Sequence, residues 1–439
     1  MRDLVFIAVF LVLIFFSFRH AFTNLALWLW AGLFVPTNWI HGIGTSISYN
    51  SVFALLTMIS YLFQRNKAKI GGDGLFLLVV IFFIHTSITS LLSSNTPMIV
   101  ENSWTNFAKG ILLFIFTSLI IRSKSEFKLI IWVITLSVGF QGCVEALKFL
   151  ASGGGHRIFG PLGHLHEDNN HFAAVLTMVL PLIIFLTSIT EKKVVKLSLR
   201  IILVLCVLAI LGTHSRGGLI AISTTSIYFW FQSKSKMKIM FGAVLVIALA
   251  VSFLPQNWYN RMNTIETAAT SDGSFIGRII SWKMHTLIAM DKPLTGGGFK
   301  AMENSYIFGS YVSDIDKLDF IYTPDPVRAK AAHSIYFQVL GDHGFLGLIL
   351  FGFIILLSFK RLRFIRNHYR SIQSFNSWQY NLANMLQVSL LSYCVAGAAL
   401  SLAYAEIFYA LVGLTICLYI NTKDQIVEDT KVSTAEYSR

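Results

Sequence analysis

The amino-acid sequence predicts an all-α polytopic membrane protein, with about 12 to 13 transmembrane helices and a small helical cap outside the membrane. Two observations concern composition: 55% of the 439 residues are hydrophobic and only 13% are charged, about half the charge of a typical soluble domain. A third is that apolar runs of membrane-spanning length recur along the chain. Together these features exclude an ordinary soluble enzyme, a disordered chain and a disulfide-rich scaffold.

The candidate spans are stretches of mostly apolar residues, since about 20 such residues are needed to cross the hydrocarbon core of a bilayer. The first span follows a short charged start without a small-residue cleavage site, so we expect it to stay in the protein rather than be removed as a signal peptide. In chain order the candidates are residues 4–18, 21–36, 51–64, 74–94, 106–121, 127–150, 171–190, 195–212, 218–232, 238–254, 334–358, 380–401 and 405–421.

The basic residues give these spans an orientation. The formal net charge is +13, from 35 Lys and Arg against 22 Asp and Glu. In a soluble protein this excess would indicate a nucleic-acid partner, but in a membrane protein it is explained by basic residues that hold loops in the cytoplasm. We therefore expect membrane lipids and no nucleic acid as partners. Successive basic clusters are separated by two spans, so all of them fall on the cytoplasmic side: 65–69, 122–128, 192–200, 234–238 and 360–370.

The same alternation predicts how the chain is organised. Four connections face away from the cytoplasm, at residues 95–105, 151–170, 213–217 and 255–333. The last contains prolines and amphipathic stretches, which are typical of a small folded domain, and function concentrates in such connections. The predicted regions are an N-terminal transmembrane bundle (1–254), an extracytoplasmic cap loop (255–333), C-terminal transmembrane helices (334–421) and a cytoplasmic tail (422–439).

The first polar segment on the outer side lies within residues 151–170. A glycine-rich turn precedes Arg157, and a combination of backbone N–H groups and a guanidinium can bind an anion. The residues that follow leave three interpretations open: a cap for the next helix with Asp168 or Asn169 as N-cap, an anion or acceptor site, or a metal site. They are His164, His166, Glu167, Asp168, Asn169, Asn170 and His171.

Arginines dominate the next two outer segments. Arg216 lies at a membrane boundary two positions after His214, flanked by small residues that include two glycines. It is either a residue that reaches the lipid headgroups or a fixed cation for a phosphate ligand. Arg278 and Trp282 are one helical turn apart on one face of a predicted helix. Pro293 ends this helix and the glycines 296–298 form a loop; an exposed surface arginine is the alternative interpretation of Arg278.

The fourth segment brings the chain back to the membrane at His333, with Tyr336 three residues later. A histidine at the outer end of a span can act as a general base near neutral pH. The alternative is a structural histidine at the membrane interface.

The ordered set of these segments resembles the O-antigen ligase/polymerase/O-oligosaccharyltransferase superfamily, from residue 1 to around residue 360. The opening residues 1–4 and the stretches 156–161 and 167–170 are similar to one branch, the exosortase-associated O-glycosylation ligases, which are similar to pilin-glycosylating enzymes. Ser334 stands where many relatives carry Asn. The resemblance to the superfamily rests on residues 213–217, on Arg278 with Trp282, Pro293 and residues 296–298, and on His333 with Tyr336, Gln338, Gly344 and Gly347.

The resemblance implies a glycosyltransferase of the bacterial inner membrane, with its active site and cap in the periplasm. The donor is then a glycan on undecaprenyl pyrophosphate, and the acceptor is Ser or Thr of a secreted, pilin-like protein. An O-antigen ligase acting on lipid A-core and a polysaccharide polymerase are the alternatives.

By the same resemblance, Arg216 and Arg278 match the arginines that bind the donor pyrophosphate. His333 matches the catalytic base that deprotonates the acceptor hydroxyl, with inversion at the anomeric carbon. No metal and no other cofactor is expected, because two guanidiniums can neutralise the leaving pyrophosphate. Six further residues are candidates for the donor or acceptor site: Arg157, Glu167, Asp168, Asn169, His214 and Tyr336.

Two other function classes make different demands on the sequence. A transporter or flippase needs charged residues at mid-depth in its spans, whereas the spans here are nearly free of acids, with Glu145 and Glu406 close to span ends. A structural scaffold would need neither the outer arginines nor His333. Both classes therefore rank below the glycosyltransferase.

Overall fold

The protein is all-α throughout the part that the computed structural model describes: residues 2–17, 20–65, 67, 72–164, 166–232, 235–237, 240, 273–318, 323–324, 326 and 328–437. No strand occurs in these residues, which confirms the predicted fold class. The helices are α1 (Arg2–Ser17), α2 (Ala21–Phe34), α3 (Tyr49–Leu62), α4 (Gly74–Leu91), α5 (Pro97–Ile120), α6 (Lys124–Ala151), α7 (Asn169–Ile189), α8 (Lys193–Gly212), α9 (Arg216–Gln232), α10 (Gly273–Asp291), α11 (Ser305–Tyr311), α12 (Ile335–Ser371), α13 (Trp378–Gly397) and α14 (Glu406–Tyr437).

Six of these helices are long and apolar enough to cross a membrane, namely α4, α5, α6, α7, α8 and α12. Shorter apolar helices lie at Val5–Ser17, Ala21–Phe34 and Tyr49–Leu62. The chain is therefore a multi-pass membrane protein. Every predicted span overlaps a helix except 238–254, which lies outside the described residues apart from position 240. The total of 12 to 13 spans and the four predicted regions stay predictions.

Helix α7 lies at the centre of the bundle. Of its 21 residues 15 are buried, and it packs against α6, α8, α9 and α13. Its first turn is capped by Asp168, whose Oδ1 accepts the N–H groups of Asn170 and His171 at 2.8 and 3.3 Å. This confirms the predicted N-cap. The Asp168 N-cap fixes the start of α7. This start lies at the end of the bundle where the cap loop packs, and we call this end the cap end.

Residues 398–405 form an irregular segment that the hydropathy pattern did not predict. The expected spans 380–401 and 405–421 left almost no connection, but α13 ends at Gly397 and α14 begins only at Glu406. Leu400 and Leu402 are buried in this segment. Because apolar residues continue through the break, composition does not mark it. Within the segment, Ser401 is half-buried.

The described part of the cap loop is helical and has an apolar cluster of its own. The amphipathic stretch predicted at 277–290 is α10, and α11 follows between two short 3₁₀ segments. Helix α10 packs against α12 as well as against the rest of the cap. The apolar cluster consists of Met284, Leu287, Ile288, Ala301, Met302, Ile307, Phe308 and Ile315.

The cap is fixed to a break in α12 at Gly344. This residue has φ 70° and ψ −172° inside an otherwise helical run. The N–H of Gly297 donates to the Gly341 carbonyl at 2.9 Å, and the N–H of Phe345 donates to the Pro293 carbonyl at 2.8 Å. A Cβ at position 344 would lie 2.4 Å from the Pro293 oxygen. Only glycine permits both the backbone conformation and this close approach.

Candidate active site

His333 lies in an irregular turn directly before α12, and its side chain is exposed. Its backbone is left-handed, with φ 47°, which costs a non-glycine residue roughly 1–2 kcal/mol. The main-chain N–H of His333 donates to the Ser401 hydroxyl oxygen at 2.9 Å. Ser401 belongs to the segment 398–405, so this segment holds the strained turn in place.

Helix α10 fixes the two residues before His333. The Ser281 hydroxyl donates to the Ala331 carbonyl at 2.6 Å, and the indole N–H of Trp282 donates to the Ala332 carbonyl at 2.9 Å. Arg278 lies one turn before Trp282 and therefore on the same side of α10. The predicted third and fourth segments are thus joined, with Arg278 next to the turn that carries His333.

Trp282 has a second contact that stabilises this junction. Its ring is stacked on that of Phe337 in the first turn of α12, with centroids 5.0 Å apart and planes 5° from parallel. Such stacking contributes about 0.5–1.5 kcal/mol beyond the burial of the rings. The cap helix and the start of α12 therefore hold the 331–333 turn between them.

Arg216 is the first residue of α9, and the start of this helix is packed against the start of α7. The Ser215 hydroxyl oxygen accepts the N–H of Gly218 at 3.1 Å, as an N-cap does. The Asn169 side-chain amide donates to the Thr213 carbonyl at 2.8 Å. A Cβ on Gly218 would come within 2.7 Å of the Ala173 side chain. The predicted first and second segments are joined in this way.

The segment 398–405 connects the joined first and second polar segments to the joined third and fourth polar segments. A Cβ on Gly217, next to Arg216, would lie 3.9 Å from the Ala399 side chain, and Ser401 binds the main chain of His333. The turns that carry Arg216 and His333 thus both border this segment. Three of the four outer connections predicted from charge, at 151–170, 213–217 and 255–333, meet at the cap end.

The electrostatic surroundings of His333 confirm this proximity. Although the His333 side chain is exposed, desolvation by the surrounding protein is the main cause that lowers its pKa below 6.5, and the positive charge of Arg278 is the next. His171 and Lys330 lower this pKa further, whereas Asp168 raises it. The lowered pKa favours the neutral imidazole near neutral pH, which is the form that a general base requires.

His285 is a second histidine near this turn, with a structural role. It is buried, and burial lowers its pKa to about 4. Its Nδ1 is 2.7 Å from the Ser281 carbonyl, and its ring packs against Gly341 of α12. It therefore stays neutral near neutral pH.

Arg157 and Glu167 make their observed contacts within their own loop. The Arg157 guanidinium lies over the Phe159 ring at 5.2 Å, and a Glu167 carboxylate oxygen accepts the N–H of Gly163 at 2.8 Å. Both side chains are exposed. In this first segment, Asp168 and His171 are the residues that act on His333.

Tyr336 and His214 occupy positions beside the site. The Tyr336 hydroxyl donates to the Cys394 carbonyl of α13 at 3.2 Å, a contact between helices. His214 has φ 56° in the turn that precedes Arg216. The structure thus gives Tyr336 a packing contact and places His214 in the turn that presents the arginine.

The histidine-rich loop does not assemble a metal site in the described residues. No group of three or more His, Cys, Asp or Glu side chains suited to a metal ion occurs there. The rings of His164 and His166 are 4.7 Å apart, and His164 Nε2 lies 3.8 Å from a Glu406 oxygen. The geometry favours the helix cap over the metal interpretation of this run.

Sequence reasoning did not identify two residues of the site, Ser401 and Lys330. Ser401 fell inside a predicted span, and nothing in a single sequence marks a contact between it and His333. Lys330 could have been found, because it is a basic residue three positions before His333 on the predicted outer side.

Comparison with known families covers most of the chain. Residues 201–352 match the family model described as O-antigen ligase, and this match contains Arg216, Arg278 and His333. Residues 1–191 match a family of unknown function, DUF5935, which includes the loop with Asp168 and His171. A search of curated proteins found no match to the chain.

Proposed function

We propose that the chain, whose residues 201–352 match the O-antigen ligase family model, is an O-oligosaccharyltransferase of the bacterial inner membrane. In this proposal it moves a glycan from undecaprenyl pyrophosphate to a Ser or Thr hydroxyl of a secreted, pilin-like protein. The active site faces the periplasm. Glycosyl transfer in general agrees with the family; the donor lipid, the acceptor and the sidedness are the proposal.

The observation that carries the proposal is the exposed His333 held beside Arg278 by hydrogen bonds from Ser281 and Trp282 to its own turn. A base close to a guanidinium suits a reaction in which a hydroxyl is deprotonated while a phosphate leaves. The exposed imidazole is open to an acceptor side chain. This arrangement supports a transferase over a transporter or a scaffold.

The proposed reaction is a direct displacement. A neutral ring nitrogen of His333 takes the proton of the acceptor hydroxyl while its oxygen bonds to the anomeric carbon of the glycan. The bond from that carbon to the pyrophosphate oxygen breaks, and undecaprenyl pyrophosphate leaves with the bonding electrons. Attack opposite the leaving group inverts the anomeric carbon.

Arg216 and Arg278 bind the pyrophosphate in this scheme. A guanidinium group can donate hydrogen bonds to two phosphate oxygens at once, and its positive charge stabilises the negative charge that develops on the leaving group. Asp168 and His171, whose charges act on His333, are proposed to meet the acceptor. The scheme needs no metal ion, so activity should persist in EDTA; activity that disappears and returns on addition of Mg²⁺ or Zn²⁺ would contradict it.

An O-antigen ligase acting on lipid A-core is the second candidate, because the matched family model carries that description. The donor half of the site is the same for both. They differ only in the hydroxyl that reaches His333.

The deciding experiment expresses the chain in a bacterium that lacks its own ligase, with a lipid-linked glycan and a candidate pilin supplied. A mass increase on the pilin that is absent with His333→Ala would support the oligosaccharyltransferase. Glycan on lipid A-core with an unmodified pilin would identify a ligase instead, and longer chains on undecaprenyl pyrophosphate would identify a polymerase.

A further inference from the structure

Lys330 lies along α10 rather than extending into solvent. A Cβ on Gly277 would be 2.6 Å from Lys330 Nζ, 3.8 Å from Cε and 3.9 Å from Cδ. The end of the lysine side chain therefore occupies the space above the backbone of Gly277, where any other residue would place a side chain. Gly277 directly precedes Arg278, so the ammonium rests beside the residue that carries the guanidinium.

The main chain of Lys330 is held in the same junction as the catalytic turn. The Ser281 hydroxyl contacts the carbonyls of both Lys330 and Ala331, at 3.4 and 2.6 Å. Lys330 is also close enough to His333 for its charge to lower the pKa of that imidazole. Two cations, one on α10 and one on the turn that packs on it, thus act on the same histidine.

The charge of Lys330 is not neutralised by a carboxylate in the described part of the chain. The ion pairs found there join other residues, and none includes Lys330. The Lys330 ammonium adds positive charge beside the Arg278 guanidinium, and an anionic ligand that contacts both groups would stabilise them together. A ligand with more than one negative charge, such as a diphosphate, suits this pair.

We propose that Lys330 is a third cation of the donor site and binds the diphosphate of the lipid-linked donor together with Arg278. This inference rests on the proposed function. Gly277 is the position that allows this, because its missing side chain leaves room for the ammonium against α10. The diphosphate carries more charge than a monophosphate, so Lys330 should favour the donor over the corresponding lipid monophosphate.

The test measures equilibrium binding of undecaprenyl diphosphate and undecaprenyl monophosphate to the full chain in lipid nanodiscs at low salt. We expect Lys330→Gln to weaken diphosphate binding about tenfold, the typical effect of losing one charged hydrogen bond, and to reduce the preference over monophosphate. Lys330→Arg should retain most of the binding. Gly277→Ala should also weaken binding, because the new methyl group displaces the ammonium while the charge stays in the protein.

Lys317→Gln is the matched control, since Lys317 is an exposed cap lysine paired with Asp314 at 2.9 Å. It should bind both lipids as the wild type does. Wild-type diphosphate binding by Lys330→Gln, with binding lost in Arg278→Ala, would overturn the role of Lys330 and leave the donor site intact. Wild-type binding by Arg216→Ala and Arg278→Ala as well would instead refute the proposed donor site.

Discussion

The main-chain N–H of His333 and the hydroxyl oxygen of Ser401 are 2.9 Å apart, although 68 positions separate the two residues. This hydrogen bond fixes His333, whose backbone is left-handed, in the turn directly before α12. The connection between α13 and α14 thereby positions the proposed base, which itself precedes α12. The site depends on a contact between two turns rather than on one motif.

Ser401→Ala tests this contact. Loss of one hydrogen bond of this kind costs about 1 kcal/mol, so we expect transfer to fall about fivefold as the His333 turn relaxes, with little change in Tm. Ser371→Ala is the control, because the Ser371 hydroxyl only donates to the His368 carbonyl at the exposed end of α12, at 2.7 Å. Equal transfer rates for the two variants would show that the Ser401 contact does not position the base.

Gly344→Ala tests how the cap is fixed to α12. The new Cβ would meet the Pro293 oxygen at 2.4 Å and would require φ 70° of an alanine, so we expect a loss of at least about 1–2 kcal/mol. Thermal unfolding in detergent should show a lower Tm. Gly352→Ala in the same helix meets nothing within 4 Å and should leave the Tm unchanged or slightly raised. A Gly344→Ala protein as stable as Gly352→Ala would contradict the close approach.

The pH dependence of transfer should report the charges around His333. Because the pKa of His333 lies below its ordinary value of 6.5, the midpoint of the acidic decline in wild-type kcat/KM should lie below pH 6.5. Lys330→Gln removes a positive neighbour, so the pKa of His333 rises and the acidic limb moves to higher pH.

Asp168→Asn provides the opposite change in the same assay. It removes a negative neighbour, so the acidic limb should move to lower pH, while asparagine still caps α7. Arg278 and His171 keep their effects in both variants, and His285 stays neutral. If the acidic limb of the kcat/KM profile moved in the same direction in both variants, a group other than His333 would control it.

The predicted sidedness can be tested by labelling. A cysteine at Ser310, exposed on α11 of the cap, should react with a membrane-impermeant maleimide in intact spheroplasts. A cysteine at Ser371, in the basic region assigned to the cytoplasm, should react only after the cells are opened, and the wild-type chain gives the background. The reverse pattern would place the whole site on the wrong side for the proposed donor.

Much of the local structure could be predicted, because local patterns encode it. Asp168 caps α7 as expected, and the spacing of Arg278 and Trp282 put both on one side of a helix that the structure contains. Basic clusters and hydropathy also indicated which connections could meet. In each case the signal lies within a few residues of the feature it predicts.

The contacts that complete the site could not be predicted in this way. Ser401 lies in an apolar run, and its break between Gly397 and Glu406 is stabilised by packing with distant elements. The kink at Gly344 fell inside a single predicted span because its cause is the approach of Pro293 from the cap. The left-handed backbone of His333 likewise depends on partners far away in the sequence.

The most direct test of the central claim separates donor binding from chemistry in one reconstituted system, with the full chain, a lipid-linked glycan and an acceptor in nanodiscs. We expect His333→Ala to bind the donor as the wild type does but to release undecaprenyl pyrophosphate at least about a hundredfold more slowly in a single turnover, and Arg278→Ala to lose donor binding itself. Release by His333→Ala at the wild-type rate would contradict the assignment of His333 as the base.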